Sequence, residues 1–127
     1  MYGSFKEMPV WQEAIEIAKS VFTLTDKLPR QEDYGLTSQM RRSALSISAN
    51  IAEAFGRKHT ADKINFYYVA RGSIFETQSH LEYGYRVKYF NEDSYAIINQ
   101  KLITIVKNLN KIILSLKNPQ PKSQPQS

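Results

Sequence analysis

Apolar residues recur every three or four positions along most of this chain, and no window alternates with a period of two. This spacing predicts four helices and no strand. Pro9 suits the first turn of the first helix, and the helix is expected to end before Pro29, because a residue that precedes proline is displaced from helical geometry. The apolar seam of this helix consists of Val10, Ala14, Ile17, Val21, Leu24 and Leu28.

Only a short break separates the second helix from the third. Gly56 is placed to close the second helix in the left-handed conformation, and Thr60 is a suitable N-cap for the third. The apolar stripe of the second helix, which begins at about Tyr34 or Leu36, is Leu36, Met40, Ala44, Ile47, Ile51 and Ala54 or Phe55. The third helix is predicted to end near Tyr89 and to pass through Ile64, Tyr67 or Tyr68, Arg71, Ile74, Gln78, Leu81 and Tyr85.

The fourth helix has the most regular pattern, and Asn91 or Asp93 is expected to cap it. Its apolar positions form a heptad seam of Tyr95, Ile98, Leu102, Ile105, Leu109, Ile112 and Leu116. Because short links join the four helices, we predict an all-α, antiparallel up-down-up-down four-helix bundle over residues 9–117. Residues 1–8 are expected to be a loose N-terminal arm, and the Pro/Gln/Ser-rich residues 118–127 a disordered tail.

A row of polar side chains follows a second face of the second helix. Its members are Gln39, Arg42, Ser46, Asn50, Glu53 and Arg57. A buried polar group without a partner costs about 1–3 kcal/mol, so a row of this length needs partners. Three alternatives are open: the row binds a ligand or RNA, it meets another subunit, or it bonds to the third helix. In that last case the partners would be Ser73, Glu76 or His80.

The net charge of +5 is concentrated in the last quarter of the chain. All twelve acidic residues lie at or before Asp93, where twelve Lys and Arg match them. The surplus is carried by Lys101, Lys107, Lys111, Lys117 and Lys122. One-sided positive charge favours a polyanion such as nucleic acid, although it also serves solubility. The candidate nucleic-acid-binding residues are Lys101, Lys107, Lys111 and Lys117, extended by Arg41, Arg57 and Lys58.

Nothing in the sequence indicates enzyme chemistry, a metal or a cofactor. The chain has no cysteine, no P-loop and no histidine placed to activate its serines. A di-iron site needs Glu-x-x-His on two helices, whereas Glu76 and His80 occur once, four residues apart, with Glu53 and Glu82 as the other carboxylates considered. With no apolar run of about 20 residues and no signal-peptide pattern, we expect a cytoplasmic protein without a membrane partner.

The run LTSQMRRSALSISANIAEAFGR, followed by ARGSIFETQSHLE, resembles the four-helix bundle proteins named for open reading frames within 23S rRNA intervening sequences. The centre of the likeness is Gln39, Arg41, Arg42, Ser46, Ile47, Asn50, Ile51, Ala52 and Glu53. Ser48 lies where that family often has a proline, and Ala54 lies where it usually has a glycine. Both differences should stiffen the second helix.

The resemblance implies assembly into a ring, typically a homopentamer, and an association with structured RNA. Distant relatives of that family include the accessory variability determinant proteins of diversity-generating retroelements, which engage a reverse transcriptase and nucleic acid. The expectation is therefore a non-catalytic, homo-oligomeric bacterial protein associated with RNA. The alternative is a structural or protein-binding assembly module with no nucleic-acid role.

Overall fold

The computed structural model describes residues 1–119, in which four α-helices and no strand are formed. The helices are α1 (Pro9–Thr25), α2 (Leu36–Gly56), α3 (Thr60–Arg86) and α4 (Glu92–Lys117), with 3₁₀ turns at Phe5–Glu7 and Arg30–Glu32. The all-α prediction is confirmed. Residues 120–127, most of the segment predicted to be a disordered tail, lie outside the described residues. Among residues 1–119 no helix is both long and apolar enough to cross a membrane.

Each helix packs against two others around a single core. α1 contacts α2, α2 contacts α3, α3 contacts α4, and α4 returns to contact α1. Burying an aliphatic side chain of this core contributes about 1.5–3 kcal/mol, so the apolar stripes dominate the folding energy. The largest apolar side chains that are fully buried are Ile17, Met40, Ile47, Ile51, Ile74, Leu81, Leu102, Ile105 and Leu109.

The predicted stripe of α2 is buried throughout, and at its last position Ala54 rather than Phe55 enters the core. In α1 the first four seam positions are buried and Leu24 is only partly so. Leu28, also partly buried, lies beyond the end of α1, which stops at Thr25 rather than just before Pro29. Thr25 occupies the last buried position of α1 instead. Its hydroxyl donates to the Val21 carbonyl at 2.7 Å, which removes the cost of burying it.

The seam of α4 departs from the predicted heptad in its last two turns. Ile98, Leu102, Ile105 and Leu109 are buried as predicted, but Ile113 then replaces Ile112. A straight helix has 3.6 residues per turn and drifts about 20° per heptad from a 3.5-residue repeat. Over the length of α4 this drift shifts the side of the helix that faces the core by about one residue, from Ile112 to Ile113.

Two predicted helix ends are wrong. Gly56 ends α2 without a left-handed conformation, and the chain leaves the helix in extended geometry at Arg57, with φ −81° and ψ 145°. Lys63 of α3 satisfies the free end of α2 instead, since its Nζ donates to the carbonyls of Ala54 and Phe55, both at 3.1 Å. Thr60 is the first residue of α3 rather than its N-cap.

Other ends agree better with the sequence. Asn91 caps α4 as predicted, because its Oδ1 accepts from the Ser94 N–H at 2.8 Å.

The expectation of a loose N-terminal arm is wrong for part of residues 1–8. Phe5 packs edge-to-face on Trp11, with ring centroids 5.2 Å apart, and Met8 is buried.

The corner between α3 and α4 is a Schellman motif. The Tyr89 N–H donates to the Gly84 carbonyl at 2.8 Å, and the Lys88 N–H donates to the Tyr85 carbonyl at 3.0 Å. Lys88 holds the left-handed position with φ 69°, where glycine is usual. Gly84 cannot be enlarged, because a Cβ there would lie 2.1 Å from the ring of Phe90.

We predict that Lys88→Gly stabilises the protein by about 1 kcal/mol, because glycine relieves the steric cost of the left-handed conformation. Chemical denaturation measures the change. Lys88→Ala is the matched control: it removes the same charge but keeps the Cβ, so it should give no comparable gain. Equal stability of the two variants would contradict the explanation.

Candidate functional site

The polar row of α2 does not act as one continuous site. Gln39, Arg42 and Glu53 are exposed, whereas Ser46 and Asn50 are half-buried. The Asn50 Nδ2 donates back within α2 to the Ser46 carbonyl at 2.8 Å and to the Ser46 hydroxyl at 3.0 Å. The predicted bond to the third helix is found only at Ser46, whose hydroxyl accepts from the Ser73 hydroxyl at 2.9 Å.

A seam of small hydroxyl residues joins α2 to α3, and it consists of the Ser46–Ser73 contact and of a Ser43–Thr77 contact that the sequence analysis missed. The Thr77 hydroxyl lies 2.8 Å from the Ser43 hydroxyl, and both side chains are buried. Each hydroxyl also lies within hydrogen-bonding distance of a carbonyl of its own helix: Thr77 of the Ser73 carbonyl and Ser43 of the Met40 carbonyl. The available signal was the four-residue spacing of Ser73 and Thr77, which places both hydroxyls on one side of α3.

Glu76 and His80 contact each other along α3 rather than across to α2. The His80 Nε2 is buried and lies 3.7 Å from Glu76 Oε2, which is too long for a hydrogen bond. Among residues 1–119 no group of three or more His, Cys, Asp and Glu side chains is arranged to hold a metal ion.

Arg41, a candidate for nucleic-acid binding, is engaged with the end of α1. Its Nε donates to the Thr25 hydroxyl at 2.9 Å, its Nη2 donates to the Phe22 carbonyl at 3.3 Å, and its guanidinium lies 4.2 Å from the centroid of the Phe22 ring. Asp26 is 3.7 Å away. These contacts complement the negative end of the α1 dipole, so this charge is largely used within the fold.

Arg57 and Lys58 lie at the other end of α2. The Arg57 Nη2 pairs with Glu53 at 2.9 Å, and its guanidinium lies 4.6 Å from the centroid of the Phe66 ring. Lys58 is exposed in the link to α3. Arg57 therefore presents a charge that a neighbouring carboxylate already balances.

The four lysines of α4 point in three directions. Lys101 faces α1, where its Nζ donates to the Ser20 hydroxyl at 3.2 Å. Lys107 and Lys111 are exposed and lie one turn apart on the same side of α4. Lys117 faces α3, with its Nζ 5.0 Å from the centroid of the Tyr68 ring. The predicted nucleic-acid-binding residues are thus spread over three regions rather than gathered in one patch.

Three tyrosine hydroxyls and one carboxyl of the fold have shifted pKa values. The Tyr95 hydroxyl donates to Glu82 Oε1 at 2.5 Å, and the Arg86 Nε donates to Glu82 Oε2 at 2.9 Å. Both bonds lower the pKa of Glu82, and the bond from Tyr95 has the larger effect. The bond between Tyr95 and Glu82 also raises the pKa of Tyr95. The bond from Tyr89 to Glu32 raises the pKa of Tyr89, and burial raises that of Tyr67.

Comparison with known proteins identifies relatives of most of this chain. A family model described as 23S rRNA-intervening sequence protein matches residues 6–111. A crystal structure of a protein with unknown function from the S23 ribosomal protein family of Bacteroides thetaiotaomicron VPI-5482 is 31% identical, with a TM-score of 0.74. That similarity covers 82% of this chain and 97% of the other. No curated protein matches the chain. Both matches agree with the resemblance found in the second and third helices.

We predict that Thr77→Val destabilises the protein by about 1 kcal/mol, because it leaves Ser43 facing a methyl group. Adding Ser43→Ala should recover part of the loss, since neither side of the contact then carries an unpaired hydroxyl. Chemical denaturation of the single and double variants measures the coupling. Thr23→Val, on the exposed side of α1, is the control and should have little effect. Strictly additive losses would contradict a direct contact.

We predict that Tyr95→Phe moves the pKa of Glu82 back up toward its ordinary value of 4.5. A carboxyl with a lowered pKa stabilises the fold above its ordinary pKa, and this stabilisation is lost as the pH falls through the lowered value. The variant should therefore lose more stability relative to the native protein at pH 6 than at pH 3.

A carboxyl NMR titration of Glu82 measures the shift directly. Tyr89→Phe is the matched control, because it removes a hydroxyl that bonds Glu32 and leaves Glu82 untouched. If both variants leave the titration of Glu82 unchanged, the attribution to Tyr95 is wrong.

Proposed function

Since the chain belongs to the 23S rRNA-intervening sequence protein family, we propose that it is a non-catalytic module that associates with nucleic acid, chiefly structured RNA, through basic side chains of α4. The proposed form of the protein is a homo-oligomeric ring of up-down-up-down bundles. The proposal depends on the charge of α4 and on the surfaces that one copy leaves uncovered.

The uncompensated charge of α4 is the observation that carries this proposal. Four ion pairs between Lys or Arg and a carboxylate form within residues 1–119, and none of them includes a lysine of α4. From Ser94 to the end of the sequence there is no acidic residue. Lys107 and Lys111 are exposed on one face, so a polyanion could approach both together. Arg41 and Arg57, with partners of their own, would contribute less.

Contacts between helices support the antiparallel topology. Ser43 and Ser46 of α2 meet Thr77 and Ser73 of α3 respectively, so residue numbers rise along one helix as they fall along the other. The same reversal relates α3 to α4, where Arg71 bonds Asn110 and Gln78 approaches Asn99 at 3.5 Å. Such a reversal is what an up-down-up-down bundle requires.

Exposed apolar side chains favour assembly with further copies. Phe22 and Leu45 are each more than half exposed on α1 and α2, as are Ile97 and Leu114 on α4. Contiguous apolar patches mark surfaces that associate, and an assembly that brings these side chains together would bury them. In a ring of five copies, the surplus positive charge would sum to about 25, which is enough to capture RNA by counterion release.

The same apolar side chains support the second candidate, a structural or protein-binding assembly module without a nucleic-acid role. In that case the lysines of α4 would only solvate its surface. Salt dependence separates the two candidates, because phosphate contacts weaken steeply with salt whereas apolar contacts do not.

We predict that the protein binds an RNA hairpin with an affinity that falls steeply as salt rises, and that Lys107→Gln with Lys111→Gln reduces the log–log salt slope by about 1–2. Filter binding measures the affinity at several salt concentrations. The matched control is Lys19→Gln with Arg86→Gln, which removes two cations that ion pairs already balance. Its effect on the slope should be smaller.

Molecular mass in dilute buffer is the second readout of the same experiment, and a mass several times that of one chain is expected. Salt-insensitive RNA binding, equal for both double variants, would favour the assembly module. A monomer that shows no salt-dependent binding would overturn both the ring and the RNA association.

A further inference from the structure

We propose that Arg71 and Lys117, held against the ring of Tyr68, form a binding site for a backbone phosphate of an RNA strand. This inference rests on the proposed RNA association, which it deepens by naming an anchor at the edge between α3 and α4. Neither Arg71 nor Tyr68 is among the residues that the charge pattern of the sequence selected as a basic site.

Two cations from different helices converge on one aromatic ring. The guanidinium carbon of Arg71 lies 4.7 Å from the centroid of Tyr68, and the Nζ of Lys117 lies 5.0 Å from the same point. The two charges are therefore at most about 10 Å apart, which is close to the screening length in physiological salt. The ring attracts each cation, and a bound anion would attract both.

The charge of Arg71 is fixed in position but not neutralised. Its Nη1 donates to the Asn110 Oδ1 at 2.9 Å, and this acceptor on α4 carries no charge. A guanidinium has five N–H donors, so most of them are left for a ligand. Arg71 is half-buried, which limits the freedom that it would lose on binding.

Lys117 supplies an adjustable second charge. It is exposed, and it belongs to the last turn of α4, where a cation also complements the helix dipole. Neither Lys117 nor Arg71 takes part in any of the ion pairs formed within residues 1–119. The planar guanidinium of Arg71 beside the flexible ammonium group of Lys117 suits the oxygens of a phosphate.

The surroundings favour a nucleic-acid strand over an isolated anion. Lys107 and Lys111 add two exposed cations on a neighbouring side of α4, and Lys107 lies about 15 Å from Lys117 along the helix axis at 1.5 Å per residue. Tyr68 adds a half-buried aromatic side chain, and aromatic groups beside cations are typical of surfaces that bind single strands.

The test is fluorescence anisotropy of a labelled RNA hairpin with a single-stranded uridine tail, titrated with the full chain at low and moderate salt. Arg71→Gln with Lys117→Gln should weaken binding about tenfold, and the two single losses should not add, because both cations contact the same phosphate. Arg71→Lys keeps the charge and should retain part of the affinity. The control, Lys19→Gln with Arg86→Gln, removes equal charge elsewhere and should cost less.

Each result has a defined meaning. If the native protein binds the RNA and Arg71→Gln with Lys117→Gln matches the control, this site is wrong while the proposed function stands. Lys117 is exposed, so Lys117→Gln alone remains informative should the Arg71 variants unfold.

If the native protein shows no salt-dependent RNA binding, the proposed function fails, and the RNA site fails with it. A parallel titration with inorganic phosphate, followed by the NMR signal of the Arg71 Nε–H, then identifies the source of the anion. A shift that Lys117→Gln abolishes would assign the two cations to a free phosphate. An unchanged signal would overturn the site as an anion site of any kind.

Discussion

The close contact between α2 and α3 is the constraint on which the rest of the fold depends. Serine and threonine side chains lie where these helices meet, so their backbones can approach closely. Burying hydroxyls is costly unless each has a partner, and here the partners are a hydroxyl of the other helix and a carbonyl of the same helix. Ser43 and Thr77 thereby help to set the register of α2 against α3, while the buried apolar stripes supply most of the folding energy.

This contact also explains what remains available on the surface of α2. Ser46 is used in the seam, and Asn50 is turned back onto Ser46, so the middle of the polar row is satisfied within one copy. Gln39, Arg42 and Glu53 at its outer edge are exposed. A partner of α2, whether another copy or a ligand, would therefore meet two separated polar groups flanking a satisfied centre.

The cations of the chain divide into those that complete the fold and those that do not. Arg41 complements the end of α1, and Lys63 satisfies the end of α2, because helix ends leave carbonyls that need donors. The lysines of α4 and Arg71 have no carboxylate partner within residues 1–119. Exposed cations elsewhere, such as Arg42 and Lys58, also lack a carboxylate partner, but no acidic residue follows Asp93 along α4. The proposed RNA contacts are therefore placed on α4 and at its edge with α3.

The sequence by itself determined the helices and nearly the whole core, because the period of apolar residues is a local property of an α-helix. It also determined that the surplus positive charge follows Asp93, on most of α4 and beyond, since charge can be counted along the chain. Only the tertiary structure decided which side chains close the helix ends, as Lys63 does where Gly56 was expected to. It likewise decided that Arg41 serves α1 and that Arg71 joins Lys117 at Tyr68. The physical reason is that each of these contacts joins different helices, and their distances depend on packing that no local pattern encodes.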